Sequence, residues 1–240
     1  MGYECLITGL PELVSGGAAP MTDEALLTLL GETLKLKDLR ELELLNMKND
    51  DPAILELCAQ YDDTIIGQPA WWEDVREVLS QEDLRTQVLY EYGRSHGGRF
   101  VRDWYGFNQD VNNVLAAAIC RKHNIDVRKA IVGTNEVAQV LRKGLPQKDF
   151  GLGGMLDNLQ EILALVEINN LMEREKALDA LRFVWLEDMT RFVSFSLENV
   201  LAYWLQNRML NRWSILTVEQ GEKVFRDMVA DMKKGVRLEA

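Results

Sequence analysis

Two histidines, three cysteines and 38 carboxylates are the side chains with which this 240-residue chain could do chemistry. His96 lies in a Gly-rich turn, and His123 stands at a helix end beside Lys122. Neither belongs to an HExxH or ExxH pattern, which would place a second ligand on the same helix face for zinc or a di-iron centre. A histidine in the last turn of a helix more commonly serves a free backbone carbonyl. Asp62-Asp63 could begin a magnesium site, but the third carboxylate needed one turn on is replaced by Ile66. Ser95 beside His96 has no evident third partner, and no Gly-x-Ser-x-Gly occurs. The glycine run Gly151-Leu152-Gly153-Gly154 leads into a helix. A phosphate cradle would need a strand before it and Lys-Ser/Thr after it. Its neighbours are Lys148-Asp149-Phe150 and Met155-Leu156-Asp157, so an interhelix joint is expected. Glu161, Glu167, Glu173, Glu175 and Asp179 lie along helices, where solvation accounts for them. Cys5, Cys58 and Cys120 are scattered without a CxxC pair, which suits reduced thiols packed as small hydrophobes. The expectation is a protein with no catalytic residue, no cofactor and no metal, and hence not an enzyme.

The net charge of −11 disfavours nucleic acid and anionic lipid, since both bind through basic patches. Arg121, Lys122, Arg128 and Lys129 do cluster, and read as a solvated helix end. Trp71 and Trp72 are adjacent and cannot both face one side of a helix. An exposed member of that pair would favour a protein contact.

The elements that position these groups are helical almost throughout. Tyr3 to Leu10 reads as a short extended segment, ended by Pro11 and Gly16-Gly17. Thr22 caps a helix with Asp23 and Glu24 in its first turn and Leu26, Leu29 and Leu30 inward. Leu39, Leu42 and Leu45 mark a second helix, and Asp51-Pro52 starts a third. Helices from Trp71 to Tyr92 would end on Gly93 as a left-handed cap. Trp104, Phe107, Val111, Val114 and Leu115 then recur at helical spacing within Phe100 to Lys122. In that helix the small residues Ala116 to Ala118 would admit a close neighbour. A short helix spans Thr134 to Lys143. Two long stripes follow, Leu178-Leu181-Trp185-Met189-Phe192 and Leu201-Leu205-Met209-Trp213-Leu216, and a last helix spans Val218 to Met232. The class is all-α, a multi-helix bundle with a short extended N-terminal segment. We expect an N-terminal lobe at 1–98 and a C-terminal lobe at 99–240, an arrangement also compatible with one continuous domain. The longest apolar run, Val114 to Cys120, is far below the roughly 20 residues that cross a bilayer. No basic start and apolar run suggest a signal peptide, so a cytoplasmic protein is expected.

From residue 100 onward a series of short motifs falls into a recognisable order. They include Phe107, Asn112 to Ala117, Arg121-Lys122, Ile125-Asp126-Val127, Ile131-Val132-Gly133 and Asp149-Phe150-Gly151-Leu152. Glu173-Arg174-Glu175-Lys176, Leu178-Asp179, Trp185-Leu186, Phe195 to Tyr203, Arg212-Trp213 and Gly221 continue it, and Tyr3 to Pro11 fits its start. This order resembles a bacterial family of unassigned function associated with V-type ATP synthase gene clusters, notably in Bacteroidetes and chlamydiae. That family is in turn distantly similar to the C subunit of archaeal-type ATPases, which corresponds to the d subunit of the eukaryotic V-ATPase. Those stalk proteins are built of three helical wedges around a socket; this shorter chain would hold two or so. Their inward-facing helix usually carries a Lys-Glu pair shortly after a tyrosine, where this chain has Asn207 and Arg208 after Tyr203.

The resemblance implies a non-catalytic V-type ATPase subunit or assembly factor at the junction of central stalk and membrane rotor ring. Its partners would be stalk and rotor-ring subunits, reached from the cytoplasm at the periphery of the inner membrane without a span of its own. Arg121, Lys122, Asn207, Arg208 and Arg212 lie in or beside the matched motifs and are the candidate protein contacts. Ordinary surface charges or internal ion pairs account for them equally well. A free-standing helical adaptor with no ATPase connection, or a helical enzyme holding a divalent metal on carboxylates, are the other readings.

Overall fold

The computed structural model describes residues 3–63 and 67–215. The expected Val218–Met232 helix, Leu216, Gly221 and Ile66 lie outside them. Among the described residues the chain is all-helical, with no strand. The helices are α1 (Tyr3–Gly9), α2 (Asp23–Thr33), α3 (Leu36–Asn46), α4 (Pro52–Asp63) and α5 (Trp72–Arg76). They continue as α6 (Gln81–His96), α7 (Arg99–His123), α8 (Glu136–Arg142), α9 (Leu159–Val166), α10 (Leu171–Thr190) and α11 (Leu197–Ile215). None is long and apolar enough to cross a membrane.

Local chemistry sets most of the boundaries. The Thr22 hydroxyl accepts from Ala25 N at 3.2 Å, and the Ser80 hydroxyl from Asp83 N at 3.1 Å. Asn135 caps α8 by accepting from Ala138 N at 3.0 Å. At the start of α11, Ser196 and Asn199 each accept from the other's backbone N–H, a reciprocal capping pair that satisfies two otherwise orphan donors. Helix α7 stops where Asn124 turns left-handed at φ 55°.

Two departures from the expected elements have identifiable causes. Tyr3 to Gly9 is helical where an extended segment was expected. Its β-branched Ile7 and Thr8 argue weakly for strand, but Leu6 is buried and α1 packs on α11. Gly93 does not end a helix; it lies inside α6, buried, where an added Cβ would fall 2.2 Å from the Tyr105 ring. Its small size lets α6 and α7 cross closely, while Gly97 terminates α6 with φ −82°.

The chain forms two compact units. One takes the described residues up to Leu34 and from Arg182 onward; the other is Lys35–Leu181, and the division falls within α10. Residues 98 and 99 lie between α6 and α7, which pack on each other. In the first unit Leu26, Leu30, Leu186, Leu201 and Trp204 are fully buried. The stripe expected along α10 is displaced: Leu178, Phe183 and Leu186 are buried, whereas Phe192 lies past the helix end and is 92% exposed. In the second unit α7 is central, packing on α6, α8 and α9. Its Val101, Val111, Val114 and Ala117 are buried. Trp72 is buried and Trp71 half-buried, and both rings meet Tyr61, at centroid distances of 5.3 and 6.4 Å.

Candidate functional site

The C-terminal turn of α7 carries Arg121, and the loop between α8 and α9 returns to meet it. The Arg121 guanidinium donates to the Leu145 carbonyl at 2.7 Å and to the Gln147 carbonyl at 2.9 Å. Its carbon stands 3.6 Å from the centroid of Phe150, a cation–π contact. Phe150 is buried and has φ 58°, a backbone conformation that costs a non-glycine residue energy and persists only where surroundings enforce it. Next to it Asp149 accepts from Gly151 N at 3.0 Å, and Leu152 is fully buried. The glycine run is therefore part of a chain of hydrogen-bonded turns anchored in the core, and no strand precedes it to make a phosphate loop.

Beside this loop a groove of about 630 Å³ runs along α7 and α9. Phe150, Ala118, Leu163 and Ala164 give it apolar lining, and Arg121, Lys122 and Lys148 supply cations. Glu167 is the single carboxylate among the lining residues. Arg121 and Phe150 also line a smaller hollow of about 220 Å³, which reaches Cys120. Burial pushes the Cys120 thiol above its ordinary pKa, and the charge of Asp126 adds to that. A thiol held protonated is a poor nucleophile.

A second polar arrangement holds the segment before α8 against α7. Asn113 donates to the Val132 carbonyl at 2.7 Å and accepts from its N–H at 3.0 Å. Gln109, one turn earlier, donates to the same carbonyl at 3.1 Å and accepts from Arg94 at 3.1 Å. Gln87 accepts from Gly133 N at 2.9 Å. Gly133 has φ 90°, and a Cβ there would fall 1.3 Å from Gln109 Nε2, so only glycine fits. These buried amides hold the segment before α8 in place, and Gln87 Nε2 is left buried without a hydrogen-bond partner. Asp110, on the same helix, is raised above the usual carboxylate range by burial, against the lowering effects of Asn135 and Arg94.

The five expected contact residues fall into two sets, one in each unit. Arg121 and Lys122 both line the groove, Arg121 through a guanidinium already engaged with the loop. Asn207 is fully buried in α11 and donates to the Met21 carbonyl at 3.1 Å. Asn211 reinforces it, donating to the same carbonyl at 2.7 Å and to Asp23 at 2.8 Å. Arg208 lies 5.5 Å from the Trp204 ring and Arg212 4.8 Å from the Trp213 ring. Lys148, Phe150 and Asn211 were not among the expected contact residues, although Phe150 lies in one of the matched motifs. Asn211 was findable, since it stands one helical turn after Asn207; Lys148 was not, because only the folded loop brings it to Arg121.

The remaining reactive groups are dispersed. His96 closes α6 with Nδ1 3.0 Å from the Tyr92 carbonyl and its ring stacked on Tyr92. The three cysteines are free, with Cys5 exposed, Cys58 half-buried and Cys120 buried, so only the last packs fully as a hydrophobe. Among the described residues no group of three or more His, Cys, Asp or Glu could hold a metal ion.

Among the described residues the helices and this site define an all-α protein with a cation-rimmed apolar groove. The chain belongs to the DUF2764 family, described as a protein of unknown function, whose profile matches residues 70–236 and so takes in the whole groove. No curated protein and no solved structure matches the chain.

Proposed function

We propose that this chain is a non-catalytic V-type ATPase subunit or assembly factor, acting where the central stalk meets the membrane rotor ring. The observation that carries the reading is the ordered series of motifs resembling the family associated with V-type ATP synthase gene clusters. Two of those motifs, Arg121-Lys122 and Asp149 to Leu152, converge on one groove wall. A stationary or torque-bearing part needs rigid helices and complementary surfaces more than a reaction centre, and an all-α body provides them. Its stalk and rotor-ring partners would hold it at the periphery of the inner membrane, on the cytoplasmic side.

The test is affinity purification of the tagged chain from its native organism in mild detergent, with quantitative mass spectrometry. Enrichment of stalk or rotor-ring subunits is expected, and deletion of the gene should lower the yield of assembled ATPase. Recovery without any of these subunits, together with normal ATPase assembly after deletion, refutes the proposal. That pair of results would instead favour a free-standing helical adaptor.

A further inference from the structure

The groove along α7 and α9 has a shape and charge that specify an occupant. On its α9 side Gln160, Leu163, Ala164 and the C-cap Glu167 recur at positions i, i+3, i+4 and i+7, with Val166 between them. Ala118, Arg121 and Lys122 on α7 repeat the i, i+3, i+4 spacing. Two such rows bound a furrow into which the side-chain ridge of a third helix fits. Ala118 and Ala164 are small enough to let that helix approach closely. The 630 Å³ volume accommodates several side chains and lies within the range of specific binding sites. A peptide added as a β-strand would need an exposed strand edge to pair with, and the described residues contain no strand.

Charge selects the helix further. The chain carries −11 overall, yet three cations line this one groove. Arg121 donates one N–H each to Leu145 and Gln147. Lys122 and Lys148 are exposed, and neither has a hydrogen-bond or ion-pair partner among the described residues. The C-terminal carbonyls of α7 offset part of the charge of Lys122. Lys148, on the facing loop, escapes that offset. We infer that the furrow between α7 and α9 docks an amphipathic helix of a partner protein, its apolar stripe on Leu163, Ala164 and Ala118 and its acidic flank on Lys122 and Lys148. Complementary charge of this kind fixes orientation and speeds encounter more than it adds affinity. The inference stands on the groove itself and does not depend on the ATPase reading.

A displayed library of 18-residue helices tests it, with a fixed Leu/Ala stripe at i, i+3, i+4 and i+7 and randomised flanks, selected on the full-length chain. Binders should be enriched in Glu and Asp on one flank. The selected peptide should bind Lys122→Glu/Lys148→Glu at least tenfold more weakly, and fail to bind Ala164→Trp, which fills the furrow. Circular dichroism establishes that both variants remain folded, and Lys37→Glu, on an exposed site of α3, should bind as the parent does. Selection without binders, flanks with no acidic preference, or equal binding by the groove variants overturns the inference. Competition by inorganic phosphate at the peptide's own concentration would also overturn it, by making the site one for a small anion.

Discussion

Replacing Arg121 tests whether the loop wall of the groove is held by one side chain. Two charge-assisted hydrogen bonds, at 2.7 and 2.9 Å, and a ring contact at 3.6 Å are lost together in Arg121→Ala. Buried hydrogen bonds to charged groups contribute about 1.5–3 kcal/mol each. Arg121 is exposed, so about 1 kcal/mol per bond is the appropriate scale, with about 0.5–1 kcal/mol for the cation–π contact. The expected cost is therefore about 2.5–3 kcal/mol. Arg121→Lys keeps the charge but cannot fork between two carbonyls, and should cost about 1 kcal/mol. Urea unfolding monitored by circular dichroism measures both, and hydrogen exchange at 145–152 reports whether the loss is local. A cycle with Phe150→Leu should isolate a coupling of about 0.5–1 kcal/mol. Wild-type stability in Arg121→Lys, with less than about 0.5 kcal/mol lost in Arg121→Ala, would refute the reasoning that Arg121 organises this loop.

Asn113→Ala should cost about 2–3 kcal/mol in urea unfolding, because the buried Val132 N–H loses its acceptor while Gln109 still serves the carbonyl. A loss under about 1 kcal/mol would mean that the N–H finds another partner. Asp110 predicts a pH effect. Burial raises its folded pKa above the unfolded value, so its contribution is greatest below about pH 3.9 and is lost as pH rises through the higher folded value. Asp110→Asn should flatten that fall, read from urea midpoints across pH 3.5–7; parallel curves for the two proteins would contradict it.

Helix starts were legible where local chemistry decides them. Thr22 and Asp51-Pro52 mark helix starts that need no tertiary information. Gly93 was misread because a glycine near a helix end has two uses, and sequence cannot distinguish a cap from a close crossing by Tyr105. Asn207 looked like a contact residue because it is polar, although burial turns it into an internal clamp on Met21. The groove was half-visible: Arg121 and Lys122 are consecutive, but Lys148 and Phe150 reach them only through a loop with four left-handed backbone positions, at Gly144, Phe150, Gly151 and Gly154. Such positions depend on the packing that surrounds them. Phe192 was assigned to a stripe because helical spacing continues past Thr190, where the helix does not.

The clamp of Asn207 and Asn211 on Met21 and Asp23 joins groups up to 190 residues apart in the chain. Lys35–Leu181 is inserted between the halves that this clamp unites. During synthesis the inserted unit emerges whole before α11 exists, so it can bury its own core while α1 and α2 still lack their packing partner. Closing so long a loop in a disordered chain carries an entropic cost, which prior folding of the insert reduces by replacing a random coil with a body whose ends are fixed. The connectivity thus permits one order of maturation: the groove-bearing unit first, the unit made from both flanks afterwards.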